Sequence, residues 1–492
     1  MAIFYQSTRD KSNQKTASQA ILQGLAEDGG LFVPVDFPKL ALDFEQLKNA
    51  TYQEIAELVL QTFFDDFSKA EIHDMVKAAY GDNFDDPEIA PVKQVGQHYL
   101  LELFHGETIA FKDMALSILP YLMTQAAKKN GVTNEIVILT ATSGDTGKAA
   151  MAGFADVEQT KIIVFYPKNG VSPIQERQMV TQQGDNVHVV AIDGNFDQAQ
   201  TAVKAMFNEA DLRDKMAKNG KQFSSANSMN IGRLIPQVAY YIYAYAQLVK
   251  KNQIENGESV NFSVPTGNFG NILAAYYAKK LGLPIRKLIC ASNKNNVLTD
   301  FFKTGRYDKN REFFVTSSPS MDILVSSNLE RLIFELTDEN DQTTGQLLTA
   351  LSTEGQYQLT EKMLEKLTDF IADWADESEI SKEIQETFSK NHYVLDPHTA
   401  VASSVYHKLA PEGKTVVVST ASPYKFPQVV LNALSSTAVA SDDFAAVKAL
   451  EELSETPLPR AVKSIEKAEV LHQTTVEVSQ MQSEVERYLG LK

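Results

Sequence analysis

From about residue 95 onward, apolar residues come in short unbroken runs, separated by stretches where they recur every three or four positions. The runs at 136–140, 162–166, 187–192, 260–264, 287–291 and 415–419 predict strands buried on both faces. Between them a helical period is clear at 195–208 and again at 271–281, the second stopped by Gly282 and Pro284. Strands alternating with helices predict an α/β chain whose parallel-rich sheets form two lobes. Residues 1–95 read as mainly helical, with a Gly/Pro break at 28–34. Within them Thr51 and Glu54 have capping-box spacing, and Ile55, Leu58, Val59 and Phe63 follow at helical intervals. The expected division is a helical region at 1–95, a first α/β lobe at 96–250, a second at 251–440 with a mostly helical stretch at 326–390, and a charged tail at 441–492.

Composition narrows the function classes. A chain of 492 residues, 43% hydrophobic and 22% charged, can bury a large core and still shape a cleft. The balance of 46 basic against 63 acidic residues, −17 overall, argues against a general nucleic-acid grip, so any anionic ligand needs a local pocket. The one cysteine, Cys290, sits in the apolar run Lys287-Leu288-Ile289-Cys290-Ala291 and reads as a small buried hydrophobe. It excludes an internal disulfide and a CxxC metal site, and the eight histidines show no HExxH pattern, so no metal is expected. The first ten residues lack the apolar core of a signal peptide, and no run of 18 or more apolar residues suggests a membrane span; the expectation is a cytoplasmic protein with no membrane or nucleic-acid partner.

Three loops carry candidate chemistry because each follows an apolar run and opens a helix, the edge where ligands of open α/β sheets collect. In Pro265-Thr266-Gly267-Asn268-Phe269-Gly270-Asn271, the glycines and the free N–H groups of the helix start suit a phosphate. Without a GK[ST] ending or GxGxxG spacing, a phosphate cradle and a plain tight turn both fit this loop. Thr142-Ser143-Gly144-Asp145-Thr146-Gly147 suits a carboxylate or phosphate, and equally a helix start capped by Ser143 or Asp145. In Phe104-His105-Gly106-Glu107-Thr108-Ile109-Ala110-Phe111-Lys112-Asp113, Lys112 stands among apolar neighbours. Desolvation there lowers an amine's pKa and makes it nucleophilic toward carbonyls, as in Schiff-base enzymes. A solvated surface lysine is the plainer alternative.

Taken in order, these stretches resemble the threonine synthase family. The resemblance runs from Ser7-Thr8-Arg9 and Asp28-Gly29-Gly30-Leu31 through the loops just described. It continues through Val171-Ser172-Pro173, Ser225-Ala226-Asn227-Ser228-Met229-Asn230, Ser318-Pro319-Ser320-Met321-Asp322, Ser327-Asn328-Leu329-Glu330-Arg331 and Asp396-Pro397-His398-Thr399, ending at Ser419-Thr420-Ala421. It implies the two-lobed fold-type-II architecture of pyridoxal-phosphate enzymes, with pyridoxal 5'-phosphate carried on Lys112. Gly267, Asn268, Phe269, Gly270 and Asn271 match the loop that holds the cofactor phosphate, and Thr420 the hydroxyl near the pyridine nitrogen. Thr142, Ser143, Gly144, Asp145 and Thr146, with Asn227 and Arg233, match positions near the substrate. The implied reaction turns O-phospho-L-homoserine and water into L-threonine and phosphate, with Lys112 also the catalytic base, in a monomer or homodimer. His398 reads either as a site residue or as part of an Asp-Pro helix start.

This sequence departs from the family pattern at Glu107, where proline is expected, and at Ser422 and Tyr424, where the family reads His and Ala. Three rivals to the implied reaction share the scaffold: a serine/threonine dehydratase, a phospholyase releasing a 2-oxo acid, and a non-catalytic relative.

Overall fold

The computed structural model describes residues 3–142, 144–435 and 440–491. Two sheets organise it. The larger has six strands in the order Phe370–Trp374, Ile285–Ser292, Val260–Pro265, Thr415–Ser419, His98–Glu102, Val92–Val95; the first five run parallel and the last pairs antiparallel with its neighbour. The smaller has five parallel strands in the order Thr474–Glu477, Val187–Asp193, Thr160–Pro167, Glu135–Ala141, Lys221–Ser224. All six expected strands are present, each at or within a residue or two of its predicted bounds. Their unbroken apolar runs follow from burial on both faces, and every residue of Val260–Pro265 and Thr415–Ser419 is buried.

The lobes do not divide where the sequence pattern placed them. Val92–Val95, expected at the end of the helical region, and His98–Glu102, expected at the start of the first lobe, both belong to the larger sheet. The tail expected as weak helix contributes Thr474–Glu477 to the smaller sheet, beside Val187–Asp193, as well as the helices Asp443–Ser454 and Met481–Leu489. The stretch 326–390 is helical apart from the strands Gln356–Gln358 and Phe370–Trp374.

The N-terminal region is helical as expected, with one small antiparallel sheet of Phe4–Ser7, Lys15–Thr16 and Phe32–Pro34. Helix Tyr52–Phe63 starts at the predicted capping box: the Glu54 N–H donates to Thr51 Oγ1 at 3.2 Å, and the Thr51 N–H donates to Glu54 Oε2 at 2.7 Å. Ile55, Val59 and Phe63 are buried, Leu58 half so. This face packs on the helix Pro236–Lys250, which is buried all round apart from its last residue. Cys290 is fully buried, and burial pushes its thiol up to about 12. Among the described residues no helix is long and apolar enough to cross a membrane.

Candidate active site

Three neighbouring parallel strands, His98–Glu102, Thr415–Ser419 and Val260–Pro265, release their loops at the same carboxyl edge of the larger sheet. The first two loops are stitched together. The Leu103 N–H donates to Ser419 O at 2.9 Å, the Phe111 N–H to Thr420 O at 2.8 Å and the Ser422 N–H to Ile109 O at 3.0 Å. This places Lys112 beside Thr420, just before the short helix Asp113–Leu116. Lys112 is half-buried, and its Nζ donates to Ser320 Oγ at 3.3 Å.

The loop before Lys112 is held by Asp113. This buried carboxylate accepts the Thr108 N–H at 2.8 Å and the Thr108 hydroxyl; burial raises it to about 6 against those bonds. Gly106 lies flat on it, so a Cβ there would come within 2.5 Å of Asp113 Oδ2. The buried Lys425 donates to Thr108 O at 3.0 Å. Ile109 is fully buried at φ 52°, a left-handed backbone that a β-branched residue adopts only under constraint. Glu107, the departure from the family pattern, is exposed and acts on the buried Lys148. Burial pulls that ammonium down to about 8, and Glu107 and Asp113 partly oppose the fall.

The third loop closes over the same edge. A Cβ on Gly267 would sit 2.6 Å from Ser320 O, so the loop presses on the residue that Lys112 touches. Ser326 Oγ donates to Gly267 O at 2.7 Å, and the Asn328 N–H and side-chain amide each donate to Asn268 O at 3.0 Å. Phe269 takes a left-handed backbone, φ 66°, and Asn271 Nδ2 ties back to Pro265 O at 2.9 Å. The loop carbonyls are therefore held from behind, while at the start of helix Gly270–Lys280 the Ile272 N–H donates to Asn271 Oδ1 at 2.9 Å and the N–H groups of Gly270 and Asn271 have no backbone acceptor within the helix. That arrangement fits a phosphate better than a bare turn.

Ser320 is fixed in turn. Its N–H donates to His398 Nε2 at 3.2 Å, and His398 Nδ1 lies 3.1 Å from Asp396 Oδ1. Asp396 also caps helix Pro397–Leu409, so His398 is a buried part of a helix start, as its Asp-Pro context allows. Thr399 links Asp396 to Ser419 Oγ at 3.1 Å and accepts the Thr420 N–H at 3.3 Å. Ser320 lies in one of the stretches that resemble the family, but residue order gives neither it nor Lys425 a role; their contacts with Lys112 and with Thr108 mark them.

The facing wall comes from the smaller sheet. Thr142 Oγ1 accepts the N–H groups of Gly144 and Gly147, each at 3.0 Å, and so closes the loop; no side-chain cap is seen at Gly144. Ser143 and the side chain of Asp145 lie outside the described residues; Thr146 is half-buried. Gly153 in helix Asp145–Phe154 presses on Leu116 O, which seats this helix against the one that follows Lys112. Helix Ile231–Leu234 packs between helices Asp113–Leu116 and Gly270–Lys280 and carries Arg233. Arg233 is 5% exposed; its Nη1 donates to Ala226 O at 2.8 Å, its Nε is buried without a partner, and burial alone pulls it down to about 10. Among the described residues no carboxylate pairs with it. Asn227, expected near the substrate, instead lines a separate cavity of about 750 Å³ that none of the other candidate residues borders.

Residues 4–80 match the family model for the threonine synthase N terminus, 89–421 that for pyridoxal-phosphate-dependent enzymes, and 399–483 that for the threonine synthase C-terminal region. The chain is 36% identical to threonine synthase of Saccharomyces cerevisiae over 95% of this chain and 96% of that one. It is 42% identical to human threonine synthase-like 1 over 88% of this chain, but spans only 60% of that longer protein. The crystal structure of pyridoxal-phosphate-bound threonine synthase from Brucella melitensis superposes with a TM-score of 0.88, 35% identity and 99% of both chains covered. The yeast threonine synthase structure also gives 0.88, at 32% identity and 99% of both chains. The chain belongs to the threonine synthase family of pyridoxal-phosphate-dependent enzymes, and its cofactor is pyridoxal phosphate.

Proposed function

We propose that this enzyme converts O-phospho-L-homoserine and water into L-threonine and phosphate. The observation that carries the reading is the meeting of Lys112, the 267–271 loop and Thr420 at one sheet edge, with a buried arginine, paired to no carboxylate among the described residues, on a helix packed against those that follow Lys112 and the loop. The residues fit the cofactor: Gly267 lets the loop close onto Ser320, the residue that Lys112 touches, and a helix start follows it. Lys112, Gly267, Asn268, Phe269, Gly270, Asn271 and Thr420 would hold the group. When bound, pyridoxal phosphate supplies an electron sink for negative charge at the substrate's Cα.

The chain's own residues then have distinct work. Lys112 Nζ takes the Cα proton and returns protons later, while Ser320 orients the amine. The N–H groups and hydroxyls of 142–147 bind the substrate carboxylate, and Arg233 binds its phosphate through a charge-assisted bond. A Cβ proton is then lost and phosphate leaves Cγ with the C–O electron pair; Cγ gains a proton, the water oxygen joins Cβ as water gives up one proton, and Cα is reprotonated. The neutral hydroxyl of Thr420 leaves the ring nitrogen less protonated than a carboxylate would.

The test is to assay wild type and Lys112→Ala with O-phosphohomoserine, measuring phosphate, threonine and 2-oxobutyrate. Equal phosphate and threonine from wild type, and neither from the variant, uphold the proposal. Phosphate with 2-oxobutyrate makes the enzyme a phospholyase, and no turnover by wild type makes it a non-catalytic relative.

A further inference from the structure

The cavity of about 750 Å³ that holds Asn227 lies where three parts of the chain meet. One wall is Lys15 and the helix Ala17–Gln23; another is Asn130, just past helix Leu119–Lys129. The third is the carboxyl end of helix Phe196–Asn208 with the strand Lys221–Ser224. Its size falls within the range of small-ligand sites, roughly 300–1,000 Å³.

It is separate from the Lys112 cleft. Lys221–Ser224 pairs with the amino-terminal half of Glu135–Ala141, and Asn130 precedes that strand. Ile138, the partner of Ser224, stands four residues before Thr142, roughly 13 Å along the strand, and no residue of the 142–147 or 267–271 loops lines the cavity.

The wall has a definite chemistry. In a chain of net charge −17, no Asp or Glu lines this cavity. Lys15 and Lys204 do, and among the described residues neither forms an ion pair. Leu22, Phe207, Phe223 and Met229 supply apolar surface, and the side-chain amides of Gln23 and Asn208 add donors. Cations without a counter-charge, beside apolar walls and amide donors, match a small molecule with a carboxylate or phosphate on an apolar body.

We infer that this cavity is a second, non-catalytic binding site for a small amphipathic anion, held by Lys15 and Lys204. An occupant rests on the segment 225–230, whose other side is bonded to the active-site wall. Ala226 O is held by Arg233, Ser228 O by Asn328 at 3.2 Å, and Met229 O by Arg331 at 2.6 Å. The site thus shares a backbone segment with the residues that shape the catalytic cleft.

The test is calorimetric titration of the holoenzyme with hexanoate and with its neutral counterpart hexanamide, with and without saturating L-threonine. The expected result is hexanoate binding at least tenfold tighter than hexanamide, unchanged by threonine. Lys15→Gln and Lys204→Gln are each expected to weaken hexanoate at least fivefold, with kcat and KM for O-phosphohomoserine within twofold of wild type. Asn208→Asp, which adds a carboxylate to the wall, is expected to weaken it as well. Equal binding of acid and amide, displacement by threonine, or unaltered hexanoate binding by the lysine variants overturns the inference.

Discussion

Arg331 and Arg233 are both buried guanidiniums, and both grip the segment 226–230, yet they are finished differently. Arg331 is fully buried and spends its donors: Nε on Phe32 O at 2.9 Å, Nη2 on Met229 O at 2.6 Å, and Nη1 on Asn328 Oδ1. It ties the N-terminal region, the 225–230 segment and the residue behind the 267–271 loop into one block. Arg233 makes one bond to a carbonyl and leaves its Nε buried without a partner. Burial pulls both down to about 10. A buried cation left short of partners costs stability. The proposed phosphate contact would complete Arg233, whereas the chain itself completes Arg331.

This contrast can be broken experimentally. The largest stability effect is expected for Arg331→Met, which strands three acceptors and lowers unfolding free energy by about 3 kcal/mol or more, read by urea denaturation. Arg233→Met removes a poorly satisfied charge, so its stability change stays within about 1 kcal/mol, while kcat/KM for O-phosphohomoserine falls on the order of 100-fold. A loss of stability as large as that of Arg331→Met would make Arg233 structural after all. Arg233→Lys keeps the charge without the fork, and kcat/KM is expected to fall about tenfold.

His105 sharpens the comparison as a half-buried cation supplied with counter-charge. Burial pulls its pKa down, but Asp85 at 3.0 Å and Glu102 at 2.9 Å outweigh this and bring it to about 9. A histidine raised in the folded state stabilises fully below its unfolded pKa, near 6.5, and the contribution is lost as pH rises through about 9. Urea midpoints are therefore expected to fall between these pH values by on the order of 1 kcal/mol in wild type. In His105→Gln that slope should flatten.

Much of this was legible in residue order. The buried parallel strands announced themselves because burial on both faces demands unbroken apolar runs, and the loops after them carried the glycines, hydroxyls and lysine. Strands without that signature escaped. Thr474–Glu477 is an edge strand with no buried residue, and Phe370–Trp374 lies in a stretch of helical character. Ser320 stands 208 residues from Lys112, and no local pattern encodes a contact at that separation. Asn227 lines the second cavity, while its neighbours Ala226, Ser228 and Met229 are bonded through their carbonyls to Arg233, Asn328 and Arg331; residue order does not tell the two sides of such a segment apart.

The edge strand Thr474–Glu477 also bears on how the chain is made. Its partner, Val187–Asp193, leaves the ribosome long before it, as do the other strands of that sheet. Until Thr474–Glu477 is translated, the smaller sheet presents an open row of backbone donors and acceptors on the buried apolar strand Val187–Asp193. An open edge of this kind invites pairing with another nascent chain. Truncation before Thr474 would therefore show first as aggregation during expression, with every candidate catalytic residue still present in the sequence.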